Sequence, residues 1–329
     1  MHKEITMNNQ LNTPVLYIIF NRLDTVKRTF PVIAAQKPAQ LFIAADGPRE
    51  NREGEAEKCR EVRDFVLSNI NWDCNLQTLF RDENLGCGEN VHRAITWFFD
   101  NVEQGIILED DCLPDPSFFA YCETLLDYYK NDERIMHIAG DNPLVQCKNW
   151  PYSYYFARLM HCWGWASWKR AWENYEFVLS DVTKTLTENP YFSNKKVREH
   201  YEYIFRGFEK KPFITDTWDY QWTYAVFKAD GICINPAKNL VTNIGFDGEG
   251  AHFNNNGHGF SRPSFPVSHI CHPPKVEVTE KYVRQLDKKV FGITKRHPLR
   301  FAKHCVIMAG IAMLKTVGLY ERVKKWYNS

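Results

Sequence analysis

Three consecutive carboxylates, Glu109, Asp110 and Asp111, follow the apolar run Ile106-Ile107-Leu108 in the stretch GIILEDDCLPDP, residues 105–116. Adjacent carboxylates repel one another unless a cation or a basic group offsets them. A hard divalent ion, Mn²⁺ or Mg²⁺, takes oxygen ligands. It typically draws one or two from carboxylates and others from the phosphates of a substrate. One or two of the three acids would hold such an ion, leaving the others to hydrogen-bond ligand hydroxyls. The structural alternative is a helix start, with Asp110, Asp111 and Asp115 favouring the positive end of the helix that follows.

The elements that must position these acids follow from hydrophobic patterning. Short continuous apolar runs at 14–20, 41–45, 75–80, 105–108 and 134–139 read as buried strands. Between them lie helical stretches at 24–36, 53–69, 89–103 and 116–130. Pro31 counts against the first of these, because proline removes a helix donor. Strand–helix alternation predicts an α/β fold around a mostly parallel sheet. Ligands of such sheets bind beyond the C-terminal strand ends. That rule selects Asn21 and Arg22, then Asp46, then Arg81 and Asp82, and finally the three acids. A rim carrying both signs of charge suits a phosphate-bearing, metal-chelated ligand.

The pattern changes after about residue 140. The segment WGWASWKRAW (163–172) is aromatic and is expected to lead into a helix, Trp165, Trp168 and Trp172 having near-helical spacing. Residues 195–209 and 218–229 read as helices and 231–236 as a short strand. The Gly- and Asn-rich residues 245–260 read as a mobile loop. Asp216, Thr217 and Asp219 suit the start of a helix, where Asp216 or Thr217 would cap. His252, His258, His269 and His272 lack an H-x-x-x-H zinc spacing, so zinc is not expected.

The 329 residues include 41 Lys/Arg and 40 Asp/Glu. Residues 288–329 hold ten of the bases and one acid, leaving 31 bases and 39 acids elsewhere. An acidic body thus carries a basic tail suited to an anionic partner. The tail's apolar centre, CVIMAGIAML, is too short to span a bilayer but would lie at an anionic membrane surface. A helix docked on the body is the alternative. The ten cysteines form no C-x-x-C pair. The polar opening MHKEITMNNQLN lacks an apolar signal region, so a cytoplasmic location with reduced thiols is expected, with the tail placing the protein at the inner face of the membrane.

The acidic stretch, with the helix after it (GIILEDDCLPDPSFFAYCETLLDYY), resembles the acidic-motif region of nucleotide-diphospho-sugar transferases of the GT-A fold. Among these it is similar to N-acetylglucosaminyltransferase I and to bacterial HlpA-like and family 2 glycosyltransferases. PVLYIIFNR, FIAADGP, ENLGCGENVHRAITWFF, HCWGWASWKRAW and TWDYQW resemble further family segments in the same order, across about residues 14–255. The resemblance implies a glycosyltransferase domain at 13–260, its nucleotide-sugar half at 13–140 and its acceptor half at 141–260, with the helical tail at 275–329.

It further implies Asp111 as metal ligand, with Glu109 and Asp110 touching ribose and donor sugar. Asn21, Arg22, Asp46 and His92 would line the nucleotide pocket, and His252 would meet phosphate or metal. Asp219 would be the general base, its pKa raised by Trp218, Tyr220 and Trp222, with Asp216 as rival. Trp163, Trp165 and Trp218 would compete for the acceptor groove. The relatives' Ser-His-Gly element is replaced here by Ala251-His252-Phe253, so its hydroxyl is missing. The implied reaction is inverting transfer from a UDP-sugar to a carbohydrate or lipid-linked acceptor in bacterial surface polysaccharide synthesis, with Mn²⁺ or Mg²⁺ and no nucleic-acid partner. Two alternatives are a sugar-1-phosphate nucleotidyltransferase and a non-catalytic nucleotide-sugar or glycan-binding protein. The first would want a Gly-rich basic loop after the first strand, where NRLDTVKR stands instead.

Overall fold

The computed structural model describes residues 2–4, 10–211, 213, 215–245, 261–289 and 292–293. His252, His258, most of the 245–260 loop and residues 294–329 lie outside the described residues.

Strand β1 (His2–Glu4) precedes β2 (Val15–Ile19), α1 (Leu23–Gln36), β3 (Gln40–Ala45), α2 (Glu55–Ser68), β4 (Asn75–Phe80), α3 (Cys87–Asn101) and β5 (Gln104–Glu109). Then come β6 (Cys112–Pro114), α4 (Ser117–Tyr129), β7 (Ile135–Ala139), β8 (Tyr154–Ala157), β9 (Trp165–Trp168) and α5 (Lys169–Trp172). The chain continues through α6 (Val182–Glu188), α7 (Lys195–Arg206), α8 (Asp219–Lys228), β10 (Ile232–Pro236), β11 (Val241–Asn243), β12 (His269–Cys271) and α9 (Glu280–Lys289).

Eight strands form one sheet in the order β4-β3-β2-β5-β9-β7-β10-β8. β4, β3, β2 and β5 are mutually parallel, as are β7 and β10. β9 runs antiparallel between β5 and β7, and β8 closes the edge antiparallel to β10. The fold is therefore a mixed α/β fold with a mostly parallel central sheet. Alternate residues of β2 feed opposite faces: Val15, Tyr17 and Ile19 join a core with α1, α2 and α4, while Leu16 and Ile18 join one with α3, α5 and α8. Because β2 has β3 on one side and β5 on the other, strand order reverses there. The crevice beyond the ends of β2 and β5 is the topological switch point, where ligands bind in open α/β sheets.

The expected strands and helices of the first half are all present, within a residue or two at each end. Pro31 lies on the exposed side of α1, as does Lys27, the residue whose carbonyl the proline leaves without a helical donor. The aromatic segment leads into a helix as expected, at Lys169–Trp172, but Trp165–Trp168 before it is a buried strand that was not expected. Strands β6, β8, β11 and β12 were also not legible. The described start of the tail, α9, docks on the body through Tyr282, Val283 and Leu286. Among the described residues, no helix is long and apolar enough to cross a membrane.

Candidate active site

At the switch point, α1 begins immediately after β2, so Arg22 projects from its N-terminal turn toward the end of β5. Its guanidinium pairs with Asp110 and lies 3.0 Å from Asp111 Oδ2. Asp110 is 3% exposed and also accepts from the Phe20 N–H at 3.3 Å. The Thr29 hydroxyl donates to the Asp110 carbonyl at 3.2 Å, tying the motif to α1. Asp110 is thus an anchored, buried partner of Arg22, whereas Asp111 is half-buried and keeps an open side.

Burial, with Asp111 and Asp110 adding repulsion, pushes the Glu109 carboxyl up to about 8. Asp219 raises it too, and Arg22 opposes the shift. Four acids therefore act on one another against one arginine. That excess of negative charge is what a divalent cation would offset. Among the described residues no three His, Cys, Asp or Glu are grouped to hold a metal alone. The donor set fits an ion bound by Asp111, with Glu109 beside it, and completed by phosphate and water oxygens, as Mg²⁺ prefers. The helix-start alternative belongs to Asp115: its carboxylate accepts from the Ser117 N–H at 2.9 Å and the Ser117 hydroxyl at 2.6 Å.

The segment after β11 closes over this cluster. β11 pairs with β6, Asn243 opposite Cys112, and the Ile244 N–H donates to the Asp111 carbonyl at 2.8 Å. A Cβ on Gly245 would stand 2.5 Å from Asp111 Oδ2 and 3.0 Å from Arg22 Nη1. Asn21 donates to Glu55 at 2.9 Å, and Glu55 is in turn held by Arg49.

Asp46, beyond β3, is buried. It accepts from the N–H groups of Gly47 (3.0 Å), Leu85 (3.0 Å) and Gly86 (3.1 Å), and from Asn84 Nδ2 (3.0 Å). These bonds fold the 82–86 loop onto the rim. Asp216 accepts from Cys87 N–H at 2.9 Å and Gly88 N–H at 2.7 Å, so it caps α3 across a long loop closure. Gly86 adopts φ +84° there, and a Cβ on it would stand 2.6 Å from Asp216 Oδ2. His92 sits one turn along α3. Its ring stacks on Phe177 at 4.0 Å between centroids, and burial lowers its pKa.

Asp219 opens α8, half-buried, with the Thr217 hydroxyl donating to its Oδ1 at 2.5 Å. Its neighbour Trp218 stacks on Trp165, which pairs with Ile107 of β5, so α8 opens near the strand that carries the acid motif. Trp165 and Trp218 are 1% and 3% exposed and stack at 5.6 Å, so both rings belong to the core and present no open sugar platform. Trp163 is half-buried, with the Arg262 guanidinium over its ring at 4.8 Å.

Sequence reasoning passed over Asp141. It follows β7 as directly as Arg22 follows β2, so the strand-end rule would have found it in RIMHIAGD. It is buried, and burial, opposed by Arg262, pushes its carboxyl up to about 7. Burial, with Asp219, Glu109 and Asp141 adding repulsion, raises the Cys162 thiol.

No protein-family model and no curated protein sequence matches the chain. Among solved structures it is similar to the mannosyltransferase PcManGT from Pyrobaculum calidifontis in complex with GDP-Man and Mn²⁺. That similarity has 11% identity and a TM-score of 0.36, over 67% of this chain and 73% of the other. For S. aureus TarS the figures are 9% and 0.39, over 70% of this chain and 36% of TarS. For a UDP-glucose pyrophosphorylase complexed with UDP-glucose they are 10% and 0.38, over 70% and 93%. Similarity at this level concerns the path of the chain and not its chemistry.

Proposed function

We propose that the chain is a GT-A-type glycosyltransferase that moves a sugar from a UDP-sugar to an acceptor hydroxyl with inversion, using Mn²⁺ or Mg²⁺. The observation that carries this reading is the uneven trio at the switch point. Asp110 is spent on Arg22, Asp111 stays partly exposed, and Glu109 ends the same strand, near the start of α8. The acceptor would be a carbohydrate or a lipid-linked sugar.

Arg22 fixes the direction of the Asp110 and Asp111 carboxylates. Its remaining donors suit a diphosphate or a base carbonyl. Asp46 holds the 82–86 loop that walls the nucleotide side. Asp219 takes the proton from the attacking acceptor hydroxyl while the glycosidic bond to the diphosphate breaks. Asp216 is unsuited to that task, since both its oxygens serve the α3 N-terminus. Asp111 would hold a divalent cation, which would supply Lewis-acid stabilisation of the charge on the departing nucleoside diphosphate.

The test is turnover of UDP-, GDP- and dTDP-sugars with and without Mn²⁺, for wild type, Asp111→Ala and Asp219→Asn. Metal-dependent UDP-sugar turnover is expected, with transfer reduced roughly 10²–10⁴-fold in Asp219→Asn and metal activation lost in Asp111→Ala. Wild-type turnover in both variants would overturn the site assignment. Absence of nucleotide binding would favour a non-enzymatic role, and formation of a nucleotide-sugar from UTP and a sugar-1-phosphate would favour a nucleotidyltransferase. The proposed membrane role of residues 295–329 is tested by vesicle sedimentation: binding unchanged by their deletion rejects it.

A further inference from the structure

Beyond the end of β7 lies a group of polar side chains that the donor-side chemistry leaves unused. Asp141 is 3% exposed, and its Oδ1 accepts the Trp163 N–H at 3.2 Å. Its Oδ2 has the Arg262 guanidinium at 3.8 Å, beyond hydrogen-bond length. Arg262 is fixed from behind: its carbonyl accepts the Thr242 hydroxyl at 2.8 Å and Asn239 Nδ2 at 3.3 Å. Its side chain, 12% exposed, lies flat over Trp163 and makes no hydrogen bond to a described residue. Nearby, His161 is 7% exposed, feels the charge of Arg262, and has no partner at Nε2.

A buried ion pair contributes stability only when its geometry is good and its remaining hydrogen bonds are met. Here Arg262 stands beyond hydrogen-bond length of Asp141 Oδ2, and His161 Nε2 is buried without a partner among the described residues. Buried polar groups are normally satisfied, so an unmet set points to a partner absent from the chain itself. That partner is polar, because an apolar one would leave the fork and the carboxylate unmet. It is also uncharged, because an anion would meet the Asp141 carboxylate and a cation the Arg262 guanidinium.

We propose, building on the glycosyl-transfer reading, that Asp141 and Arg262 bind neighbouring hydroxyls of a neutral acceptor sugar. One hydroxyl donates to Asp141 Oδ2 and the next accepts from the Arg262 fork. The pair thereby holds the acceptor at the end of β7, beside the Trp163–Trp165 segment on which Trp218, next to Asp219, stacks. Both are positioning residues and take no part in bond making.

The test is saturation-transfer difference NMR on the full chain with methyl α- and β-hexopyranosides, with methyl glucuronide and inorganic phosphate as anionic probes. Wild type is expected to bind at least one neutral glycoside. Affinity should fall roughly tenfold or more in Arg262→Gln and Asp141→Asn, both first checked for wild-type circular dichroism and Tm. Arg262→Lys, which keeps the charge and loses the fork, should also weaken binding. Unchanged affinity in the variants, no neutral glycoside bound by wild type, or preference for the anionic probes each overturns the proposal. The glycosyl-transfer reading fails separately. Glycoside binding that depends on the pair, without any wild-type turnover of UDP-sugars, would keep the sugar site and reject the transfer.

Discussion

At the ends of β2, β3 and β5, polar side chains hold one another: Asp110 has Arg22 and the Phe20 N–H, and Asp46 has three backbone donors and Asn84. At the end of β7 they do not. Asp141 and Arg262 stand 3.8 Å apart, and His161 Nε2 has no partner. The first region spends its charges on building the rim; the second leaves hydrogen-bonding capacity open. Removing a side chain should therefore cost folding stability in the first region and ligand affinity in the second.

The largest expected effect is on Arg22. Arg22→Met strands the buried Asp110 and should cost about 3–5 kcal/mol in urea unfolding. A loss under ~1 kcal/mol would break the contrast. Next, Asp46→Ala orphans the Leu85 and Gly86 N–H groups and should cost about 2–3 kcal/mol, with faster amide exchange across residues 82–86.

A third expectation is pH-dependent. Burial holds both His137 and His161 down at about 3. His137 is fixed neutral between the His161 carbonyl (3.0 Å) and the Trp222 Nε1–H (3.1 Å). Below the ordinary histidine pKa of ~6.5 the unfolded chain binds protons that the folded one does not. Each histidine's contribution to stability is thus complete above that pH and lost as pH falls toward 3, at up to ~1.4 kcal/mol per unit. His161→Asn should make the acid limb of a urea-midpoint profile shallower, and an unchanged slope would reject the assignment.

Asp216→Ala removes the α3 cap and should cost about 1 kcal/mol. The smallest effect should be Arg262→Gln, within about 1 kcal/mol of wild type. A cost as large as that of Arg22→Met would show that the two regions are built alike.

The parallel half was legible because strands buried on both faces read as continuous apolar runs, and their ends mark the rim without further information. Arg22 and the three acids were found that way. The unequal roles of Asp110 and Asp111 were not, since they depend on which carboxylate Arg22 reaches from α1. β9 was hidden because WASW is short and lies next to a helical KRAW, and Trp165, Trp168 and Trp172 have near-helical spacing. Trp165 and Trp218 competed for the groove because a tryptophan's burial is decided by neighbours distant in sequence, here His137 and Trp222 on Trp165, and Trp165 on Trp218. Asp216 and Asp219 could not be separated by local pattern: one reaches back to residues 87–88 and the other stays at the acid motif.

Gly245 bears no functional group, yet its hydrogen stands where a methyl would press on both the Asp111 carboxylate and the Arg22 guanidinium. Its backbone avoids the left-handed region, so the demand is one of space alone. In a saturation mutagenesis screen scored on activity, position 245 should tolerate substitution as poorly as Asp111 itself. The site would then show up in mutational data through a residue that performs none of its chemistry.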